Sequence, residues 1–459
     1  MQLKKILQKK IIILGFGREG LSTFKFLRSL NKKKEIIIAD KKNLSDFKKT
    51  IPKKILKDKN VEFFLGEKYL SCLKSGEVII KSPGISVFKI KEIKKAKKNG
   101  AIITSGVNLF FEKTRGKIIG ITGTKGKSTT ASLIYSILKK AKFKVYLCGN
   151  IGNPVLDYLK YDDKNTYFII ELSSYQLEDL EKSPEIAVFT SFFPDHLDYH
   201  GSLKKYFEAK TNIFSPKTKI VYNAKFKKIK NFLKKYKKNI LYPCNNKTNR
   251  ISKDNYLAIN NKKIFSLDSM KLKGRHNKEN ILAAVMVAKI LKVNSKIIKK
   301  TVLNFHGLPH RLEDIGKFKK IYFYDDSASV TPESTREAII TLKNKNIGTI
   351  ILGGLDRGYN FGMLARTILE AKIKNIIFFP DSDKNIWGSL KKSYLKFNKK
   401  YSLPEKKSVK NMQDCVQQCF RVTSPEEICL LSPASPSYLS FQNFEDRGNQ
   451  FKEEIKKYF

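Results

Sequence analysis

The sequence feature that most constrains the fold of this chain is a glycine-rich stretch between an apolar run and a run with helical periodicity. It continues the apolar residues 118–121 and precedes residues 131–138, whose apolar positions recur at helical spacing. Its sequence is Gly120-Ile121-Thr122-Gly123-Thr124-Lys125-Gly126-Lys127-Ser128-Thr129. Glycines let backbone N–H groups turn inward around phosphate oxygens, and the N-terminus of the following helix adds positive potential. The order strand, loop, helix predicts a phosphate loop, with one residue more between its outer glycines than usual.

Another glycine loop, the first along the chain, follows the first apolar run. Gly15, Gly17 and Gly20 have the spacing G-x-G-x-x-G, and Asp40 ends the next apolar run. This arrangement is typical of a dinucleotide-binding turn. The pattern alone is weak and leaves two interpretations open: a site for a diphosphate-bearing ligand, or a tight turn between a strand and a helix.

Short β-branched runs alternate with longer amphipathic stretches along most of the chain. Residues 36–38, 168–170 and 350–352 are examples. This alternation predicts an α/β fold with parallel sheets, and the length of 459 residues suggests about three domains. We expect the domains to be residues 1–112, 113–308 and 309–459. The Lys- and Asn-rich residues 225–263 are expected to form irregular surface structure within the middle domain.

The formal net charge of +49 raises the question of nucleic-acid binding. Clustered Lys and Arg neutralise phosphates and release counterions. Here, however, lysines run through almost every segment, mixed with Ile and Asn, and no basic stripe interleaved with aromatic residues stands out. We therefore expect no nucleic-acid partner, and we expect the charge to steer anionic substrates toward clefts.

Membrane insertion and disulfide bonding are not indicated either. No apolar run approaches the ~18–20 residues that cross a bilayer, and the amino terminus has no secretory cleavage pattern. The six cysteines are scattered without CxxC pairs or a nearby His cluster, which indicates neither a zinc site nor a disulfide framework. We expect a cytoplasmic protein with reduced thiols and no membrane partner.

Acidic and histidine side chains follow two further apolar runs of the middle domain. Glu171 ends the run at residues 167–170, and Asp195 and His196 follow the run at residues 187–190. Strand ends near a phosphate loop can deliver oxygen and nitrogen ligands to a magnesium ion. Lys127 would then pair with the β and γ phosphates, while the Ser128 hydroxyl would hold the magnesium.

Together these motifs resemble the Mur ligases, in the order and spacing of that family, from the first glycine loop to the final helix. The matching segments are residues 123–129, 149–152, 171–178, 195–198, 208–210, 274–277 with Asn280, and 308–311. Residues 431–434, Ser437 and residues 443–448 are similar to the glutamate-adding MurD class within the family.

The resemblance implies three domains: an amino-terminal Rossmann-like domain for the UDP moiety, a central phosphate-loop ATPase with a mostly parallel sheet, and a carboxy-terminal Rossmann-like domain for the amino acid. It implies that glutamate is added to UDP-N-acetylmuramoyl-L-alanine in peptidoglycan precursor synthesis, with ATP and Mg2+, by a monomer. In this family a substrate carboxylate attacks the γ-phosphate of ATP, and an amine then displaces phosphate from the acyl phosphate.

The resemblance also implies roles for single residues. Catalytic positions are Lys127, Asn150, His196 and Lys210. ATP-contacting positions are Gly123, Thr124, Lys125, Gly126, Lys127, Ser128, Thr129, Asn277, Asn280, Arg311 and Asp326. Substrate positions are Gly15, Gly17, Gly20, Asp40, Ser82, Gly84, Arg357, Ser437, Asn443 and Phe444. Magnesium ligands are Ser128, Glu171, His196 and Lys210, the last if it is carbamylated; an unmodified Lys210 would be a structural or phosphate-facing lysine.

Two segments depart from the usual pattern of the glutamate-adding class. The usual Asn-Asp-Ser-Lys-Ala-Thr-Asn is replaced by residues 325–335, in which the lysine is absent, and Arg357 stands where a lysine is usual. Arginine is a planar two-pronged donor and lysine a point charge, so the carboxylate geometry should differ. Both departures look like a subfamily that adds L-glutamate. We expect L-glutamate as the amino acid, with D-glutamate as the alternative.

Three other functions compete with this interpretation. Folylpolyglutamate synthase shares a similar ATPase core, but the amino-terminal glycine loop argues against it. A nucleic-acid-dependent phosphate-loop ATPase would make use of the basic charge. A nicotinamide dehydrogenase built on residues 15–20 would leave the second glycine loop and residues 195–196 unexplained.

Overall fold

The computed structural model describes residues 3–236, 239–272, 274–342, 345–397 and 400–458, apart from the side chains of Lys49, Thr50, Asp198, Arg275 and His276. The chain divides into two compact units, Met1–Met270 with His276–Phe305, and Lys271–Arg275 with His306–Phe459. Three large sheets lie within residues 11–105, 117–244 and 313–431, one in each predicted domain. The fold is α/β, as predicted, while the boundaries at residues 112 and 308 stay predictions.

The first sheet has five parallel strands in the order β3-β2-β1-β4-β5. Its strands are β1 Ile11–Leu14, β2 Ile36–Asp40, β3 Val61–Leu65, β4 Val78–Lys81 and β5 Ile102–Ser105. The helices beside it are α1 Leu3–Gln8, α2 Arg18–Leu30, α3 Leu44–Thr50, α4 Lys53–Leu56, α5 Lys91–Lys98 and α6 Gly106–Lys113, with short 3-10 turns at Gly66–Lys68 and Ser71–Lys74. The strand order reverses between β1 and β4, and such a reversal opens a crevice at the carboxyl ends of the strands.

The second sheet has six parallel strands in the order β11-β10-β9-β6-β8-β7. Its strands are β6 Lys117–Thr122, β7 Val145–Gly149, β8 Tyr167–Glu171, β9 Ile186–Phe189, β10 Lys219–Asn223 and β11 Leu241–Cys244. The helices are α7 Lys127–Lys140, α8 Ser174–Leu177, α9 Leu197–His200, α10 Leu203–Thr211, α11 Lys227–Leu233, α12 Arg275–Ile290 and α13 Ser295–Asn304, with a 3-10 segment at Val155–Tyr161. The central strand β6 is buried from Ile118 to Thr122, which explains its apolar run.

The expectation of irregular structure at residues 225–263 is wrong. This segment contains α11, β11, and the strands β12 Arg250–Ile251, β13 Tyr256–Ile259 and the start of β14 Lys262–Ser266, which form a small antiparallel sheet. Asn260 and Asn261 have positive φ and join β13 to β14 in two residues, a connection that asparagine favours. Leu257 and Phe265 are buried. Strands this short carry too few apolar positions to show a period in the sequence.

The third sheet has the order β15-β16-β20-β17-β18-β19, with β15 antiparallel and the others parallel. Its strands are β15 Glu313–Phe318, β16 Ile321–Asp325, β17 Ile347–Gly354, β18 Asn375–Asp381, β19 Glu405–Ser408 and β20 Ile428–Leu431. The helices are α14 Pro332–Leu342, α15 Gly362–Glu370, α16 Asp383–Lys396, α17 Met412–Val422 and α18 Phe444–Lys456. In the part of the chain that is described, no helix is both long and apolar enough to cross a membrane.

Candidate active site

The loop between β6 and α7 has the backbone conformation of a phosphate-binding nest. Gly126 has a φ of 85° and Gly123 a φ of 147°, which residues with side chains rarely adopt. A Cβ atom on Gly126 would lie 2.2 Å from Asn280 Oδ1, and one on Gly123 would lie 2.1 Å from Thr190 Oγ1. Both glycines are therefore required by the backbone conformation and by the close packing around the loop.

Two hydroxyl side chains after β9 hold the outer edge of the phosphate loop. Thr190 Oγ1 and Ser191 Oγ donate to the carbonyl oxygen of Lys125 at 2.6 and 2.9 Å. The Lys125 N–H group donates to Ser191 Oγ at 2.8 Å. Neither Thr190 nor Ser191 is predicted from the sequence, although their position directly after an apolar strand is a signal for this edge of a parallel sheet.

Lys127 and Lys210 both reach the carbonyl oxygen of Gly123. Lys127 Nζ donates to it at 3.0 Å and to the Thr124 carbonyl oxygen at 3.1 Å, and Lys210 Nζ donates to it at 2.9 Å. Burial, and then the ammonium group of Lys127, lower the pKa of Lys210 well below its usual value, although carboxylates nearby oppose this shift. Lys210 is only 1% exposed, so its amine is the less costly form here.

Glu171 ends β8 with one carboxylate oxygen bonded and the other without a donor. Asn150 Nδ2 donates to Glu171 Oε1 at 2.9 Å, and the Asn150 N–H group donates to the Glu171 carbonyl oxygen at 2.9 Å. Glu171 Oε2 is buried and has no hydrogen-bond partner within the described residues. Such an oxygen is costly when it is left alone and is a preferred ligand for a hard cation. The side chain therefore fits the predicted magnesium site.

His196 and Asp195 lie on the same side of the sheet as Glu171. His196 has a φ of 51°, and its Nδ1 atom is 2.8 Å from the Tyr175 hydroxyl oxygen. Its Nε2 atom is 3.7 Å from Asp195 Oδ2, too far for a hydrogen bond. The carboxylates of Asp195 and Glu171 both raise the pKa of Lys210. Asp195 and Glu171 are thus near enough to act on the charge of Lys210, which itself contacts the phosphate loop.

Tyr206 connects these groups and is not predicted from the sequence. Thr124 Oγ1 lies 3.1 Å from the Tyr206 hydroxyl oxygen, at hydrogen-bond distance, and 3.2 Å from the Phe193 carbonyl oxygen. Lys210 Nζ lies 4.7 Å from the Tyr206 ring centroid, and the His196 ring centroid lies 6.1 Å from it. The available signal is spacing, because Tyr206 lies four residues before Lys210 and therefore on the same face of α10.

Four further predicted ATP contacts lie near the starts of α7 and α12. Asn280 Nδ2 donates to Asn277 Oδ1 at 3.0 Å. Asn280 also packs against Gly126, since a Cβ atom on that glycine would lie 2.2 Å from Asn280 Oδ1. Ser128 and Thr129 are half-buried in the first turn of α7. Three motif positions of the resemblance lie outside the described side chains: Asp198, Arg275 and His276.

The first glycine loop uses its glycines in two ways. A Cβ atom on Gly20 would lie 2.2 Å from the Gly15 carbonyl oxygen, and one on Gly15 would lie 3.0 Å from Ser82 Cβ. Ser82 Oγ donates to the Gly15 carbonyl oxygen at 2.7 Å. Cβ atoms on Gly17 and Gly84 would meet no described atom within 4 Å. Gly15 and Gly20 thus close the turn, while Gly17 and Gly84 leave room for a ligand.

Asp40 ties the first glycine loop to the strand beside it. Its Oδ2 atom accepts from the Phe16 N–H group at 2.6 Å, and its Oδ1 atom accepts from the Lys42 N–H group at 2.9 Å. Each oxygen keeps a second lone pair for a ligand hydroxyl. The predicted substrate contact of Asp40 therefore stays possible beside this structural role.

Asp326 is enclosed within the third domain. It is 5% exposed, its Oδ1 accepts from the Leu312 N–H group at 3.0 Å, and its Oδ2 accepts from Ser432 Oγ at 2.7 Å. Burial raises its pKa to about 7, although hydrogen bonds and Arg311 lower it. Arg311 itself is exposed. Asp326 therefore holds the segment that carries Arg311, and its predicted ATP contact stays a prediction.

The predicted glutamate positions gather at the carboxyl ends of β16, β17 and β20. The Leu355 N–H group donates to the Pro436 carbonyl oxygen at 2.9 Å, and the Gly353 N–H group donates to the Pro433 carbonyl oxygen at 2.9 Å. The loops after β17 and β20 are therefore adjacent. Because the three strands are neighbours and parallel, the loop after β16 opens at the same edge.

Four predicted substrate side chains stand on or beside these loops. Arg357 is exposed after β17, and Ser437 is buried after β20. Asn443 Oδ1 accepts from the Asp446 N–H group at 2.7 Å and so caps α18. Phe444 begins that helix, and its carbonyl oxygen accepts from Ser327 Oγ at 2.8 Å. These positions lie on or beside loops at one edge of one sheet, and their contacts with glutamate stay predictions.

Comparison with known families identifies two segments of the chain. Residues 121–288 match the Mur ligase middle domain, and residues 9–105 match the Mur ligase MurD-like N-terminal domain. The chain is 33% identical to the UDP-N-acetylmuramoylalanine--D-glutamate ligase of Acetivibrio thermocellus, over 98% of the chain and 97% of that protein. It is 31% identical to the ligase of the same name from Clostridioides difficile, over 97% of the chain and 98% of that protein.

A solved structure shares the whole architecture. The MurF ligase of Thermotoga maritima in complex with ADP superposes with a TM-score of 0.59 and 14% identity, covering 100% of both chains. At this identity the likeness concerns the fold alone. The family models and the full-length relatives go further, because they identify the family. The chain belongs to the MurD-like branch of the Mur ligase family, whose members are ATP-dependent amide-bond ligases.

Proposed function

We propose that this enzyme joins D-glutamate to UDP-N-acetylmuramoyl-L-alanine in peptidoglycan precursor synthesis. The observation that carries the proposal is identity of 31–33% over at least 97% of two ligases named for that reaction. The prediction of L-glutamate thereby gives way to the alternative stated beside it. The enzyme would act in the cytoplasm as a monomer.

The phosphate loop supplies the nucleotide site of this proposal. Its inward-turned N–H groups and the N-terminus of α7 favour the triphosphate. Lys127 bonds loop carbonyl oxygens in the free protein and would exchange them for phosphate oxygens when ATP binds. Asn277, Asn280 and Arg311 would add nucleotide contacts. The magnesium would be held by Glu171, Ser128, His196 and a carbamylated Lys210, and when bound it neutralises phosphate charge.

The proposed reaction has two steps. A carboxylate oxygen of UDP-N-acetylmuramoyl-L-alanine attacks the γ-phosphorus, and the bond from phosphorus to ADP breaks. The amino group of glutamate then attacks the acyl carbon, phosphate leaves, and the nitrogen loses a proton. Two polyanions must approach each other, so the protein contributes mainly by holding attacker and phosphorus in line and by placing positive charge around them. Asn150 would help to hold the reacting groups in line, and Lys127 would supply positive charge.

Lys210 is suited to become a carbamate. Its lowered pKa favours the free amine, whose nitrogen would attack the carbon of CO2 and release one proton. The N–H group that remains can keep the bond to the Gly123 carbonyl oxygen. The new carboxylate would present oxygens to a cation, in place of a positive charge that would repel it.

The remaining predicted contacts belong to the two substrates that the enzyme would join. The first glycine loop, with Gly17 and Gly84 open beside it, would receive the UDP diphosphate. Arg357, Ser437, Asn443 and Phe444 would receive the glutamate at the edge of the third sheet.

L-glutamate remains a second candidate because of one specific observation. The usual lysine is absent from residues 325–335, and Arg357 is a planar two-pronged donor where a lysine would be a point charge. The test is to supply ATP, Mg2+, UDP-N-acetylmuramoyl-L-alanine and each glutamate enantiomer separately, and to follow phosphate release and product mass. We expect phosphate release when D-glutamate is supplied and none when L-glutamate is supplied. Release with L-glutamate alone would select the second candidate, and release with neither would refute both.

A further inference from the structure

Arg18 and Glu19 occupy the two variable places of the first glycine loop, between Gly17 and Gly20. They begin α2, the helix that follows the loop. A loop that only received a diphosphate would place no demand on these side chains, because its glycines and backbone do the binding. Both side chains instead reach segments that flank Glu171 in the central domain.

Arg18 contacts the loop that follows β7. Arg18 Nη2 donates to the Gly152 carbonyl oxygen. Gly152 has a φ of 76°, and the loop is closed by the Gly149 N–H group, which donates to the Asn153 carbonyl oxygen at 3.1 Å. A guanidinium bonded to one carbonyl of a short closed loop limits the positions that the whole loop can take.

The same loop carries Asn150, which bonds Glu171 twice. Its side chain donates to Glu171 Oε1, and its backbone N–H group donates to the Glu171 carbonyl oxygen, both at 2.9 Å. The side-chain bond leaves Oε2 as the carboxylate oxygen without a donor among the described residues. The position of this loop therefore decides which way the Glu171 carboxylate turns.

Glu19 contacts the segment that follows Glu171. Gln176 Nε2 donates to Glu19 Oε1 at 3.4 Å. Gln176 also closes the capping box that starts α8, where its side chain accepts from the Ser173 N–H group at 3.0 Å. Ser173 lies two residues after Glu171. Helix α2 thus contacts both the loop whose Asn150 bonds Glu171 and the segment that follows Glu171.

We propose that Arg18 and Glu19 are positioning residues that hold Glu171 for metal binding, and so couple the UDP-substrate loop to activation of the nucleotide. This inference rests on the proposed function of the site. The first domain would then influence metal binding, although none of its residues is proposed as a metal ligand. Arg18 carries the larger share, because it acts through the loop that bonds Glu171 directly.

The test measures metal binding apart from turnover. Mn2+ is titrated into the full-length protein with a non-hydrolysable ATP analogue and followed by electron paramagnetic resonance. For Arg18→Ala we expect Mn2+ affinity to fall about tenfold, in the usual range for coupled sites, and kcat to fall with it while KM for the UDP substrate changes less than about twofold. A raised KM with unchanged Mn2+ affinity would overturn the proposal, because Arg18 would then act only on the substrate.

Ser22→Ala is the matched control. Ser22 Oγ donates to Asp157 Oδ1 at 2.7 Å, so it joins the same helix to the same domain but misses the loop at residues 149–153. We expect Mn2+ affinity within about twofold of wild type. An equal loss in this variant would mean that any damage to the interface suffices, and would refute a specific role for Arg18.

A double-mutant cycle tests the route. In Asn150→Ala the link from the loop to the Glu171 side chain is absent, so adding Arg18→Ala should weaken Mn2+ binding little further. The proposed path would be contradicted if the loss of Mn2+ affinity in the double variant equalled the product of the fold-losses in the two single variants. Because Mn2+ binding needs no glutamate or UDP substrate, this result stands even if the enantiomer assay fails.

Discussion

Lys127 and Lys210 donate to the same acceptor, the carbonyl oxygen of Gly123, at 3.0 and 2.9 Å. Burial first, and then the positive charge of Lys127 beside the same oxygen, lower the pKa of Lys210. The two lysines therefore divide their tasks. Lys127 is the side chain proposed to contact the phosphates, while the lowered pKa of Lys210 favours the amine form that can be modified.

Replacing Lys127 with alanine should abolish turnover without unfolding the chain. The change removes charge that the transferred phosphoryl group needs, so we expect kcat to fall by at least about 100-fold. Phosphate release and circular dichroism together measure this. Lys140→Ala removes the same charge from the exposed last turn of the same helix and should retain activity. Normal turnover in a folded Lys127→Ala protein would contradict the assigned role.

Lys210 should carry a carbamate when CO2 is present. With 13C-labelled bicarbonate we expect a carbamate carbon resonance in wild-type protein and none in Lys210→Arg, because the arginine guanidinium stays protonated. Activity should fall when CO2 is removed and return when bicarbonate is added. A wild-type spectrum without this resonance at full activity would refute the modification and leave Lys210 as a structural lysine.

Gly126→Ala should impair nucleotide binding and stability together. The added Cβ atom would lie 2.2 Å from Asn280 Oδ1, and the residue would keep a φ of 85°. We expect a loss of about 1–3 kcal/mol in the free energy of unfolding and weaker binding of a fluorescent ATP analogue. The control is Gly388→Ala, inside α16 with no described atom within 4 Å of the new Cβ, which should gain about 0.5–1 kcal/mol.

Glu19 should make stability depend on pH. Burial is the main cause that raises its pKa from 4.5 to about 7, with Asp157 adding to the shift and Arg18 and Gln176 opposing it. A raised carboxyl pKa means that the folded state holds the proton more tightly, so stability falls as pH rises from about 4.5 to about 7.

Glu19→Gln removes this titration and serves as the comparison. Between pH 5 and 8, urea unfolding should find wild type losing stability relative to the variant, by at most about 3 kcal/mol. Cys148 is a further titratable group coupled to Glu19 electrostatically and is unchanged in both proteins. A constant difference between the two proteins across this range would contradict the expected shift.

Much of the fold follows from local sequence. An apolar run, a glycine turn and a helix-periodic run lie within about twenty consecutive residues at each glycine loop, so short-range patterns suffice to predict both strand-loop-helix segments. Glu171 and His196 could be placed near the phosphate loop for a similar reason, because the carboxyl ends of parallel strands share one sheet edge. The small antiparallel sheet near residue 257 escaped prediction because its strands are two to five residues long.

The sequence by itself determined which segments become strands, glycine turns and helices, since periodicity and backbone freedom act over neighbouring residues. Only the tertiary structure decided which distant groups meet: Lys210 reaches Gly123 from 87 positions away, Tyr206 reaches Thr124 from 82, and Arg18 reaches Gly152 from 134. Strand order and helix packing set these meetings, and they depend on burial summed over the whole domain. For the same reason the lowered pKa of Lys210 belongs to the folded chain, because desolvation and the charge of Lys127 arise only there.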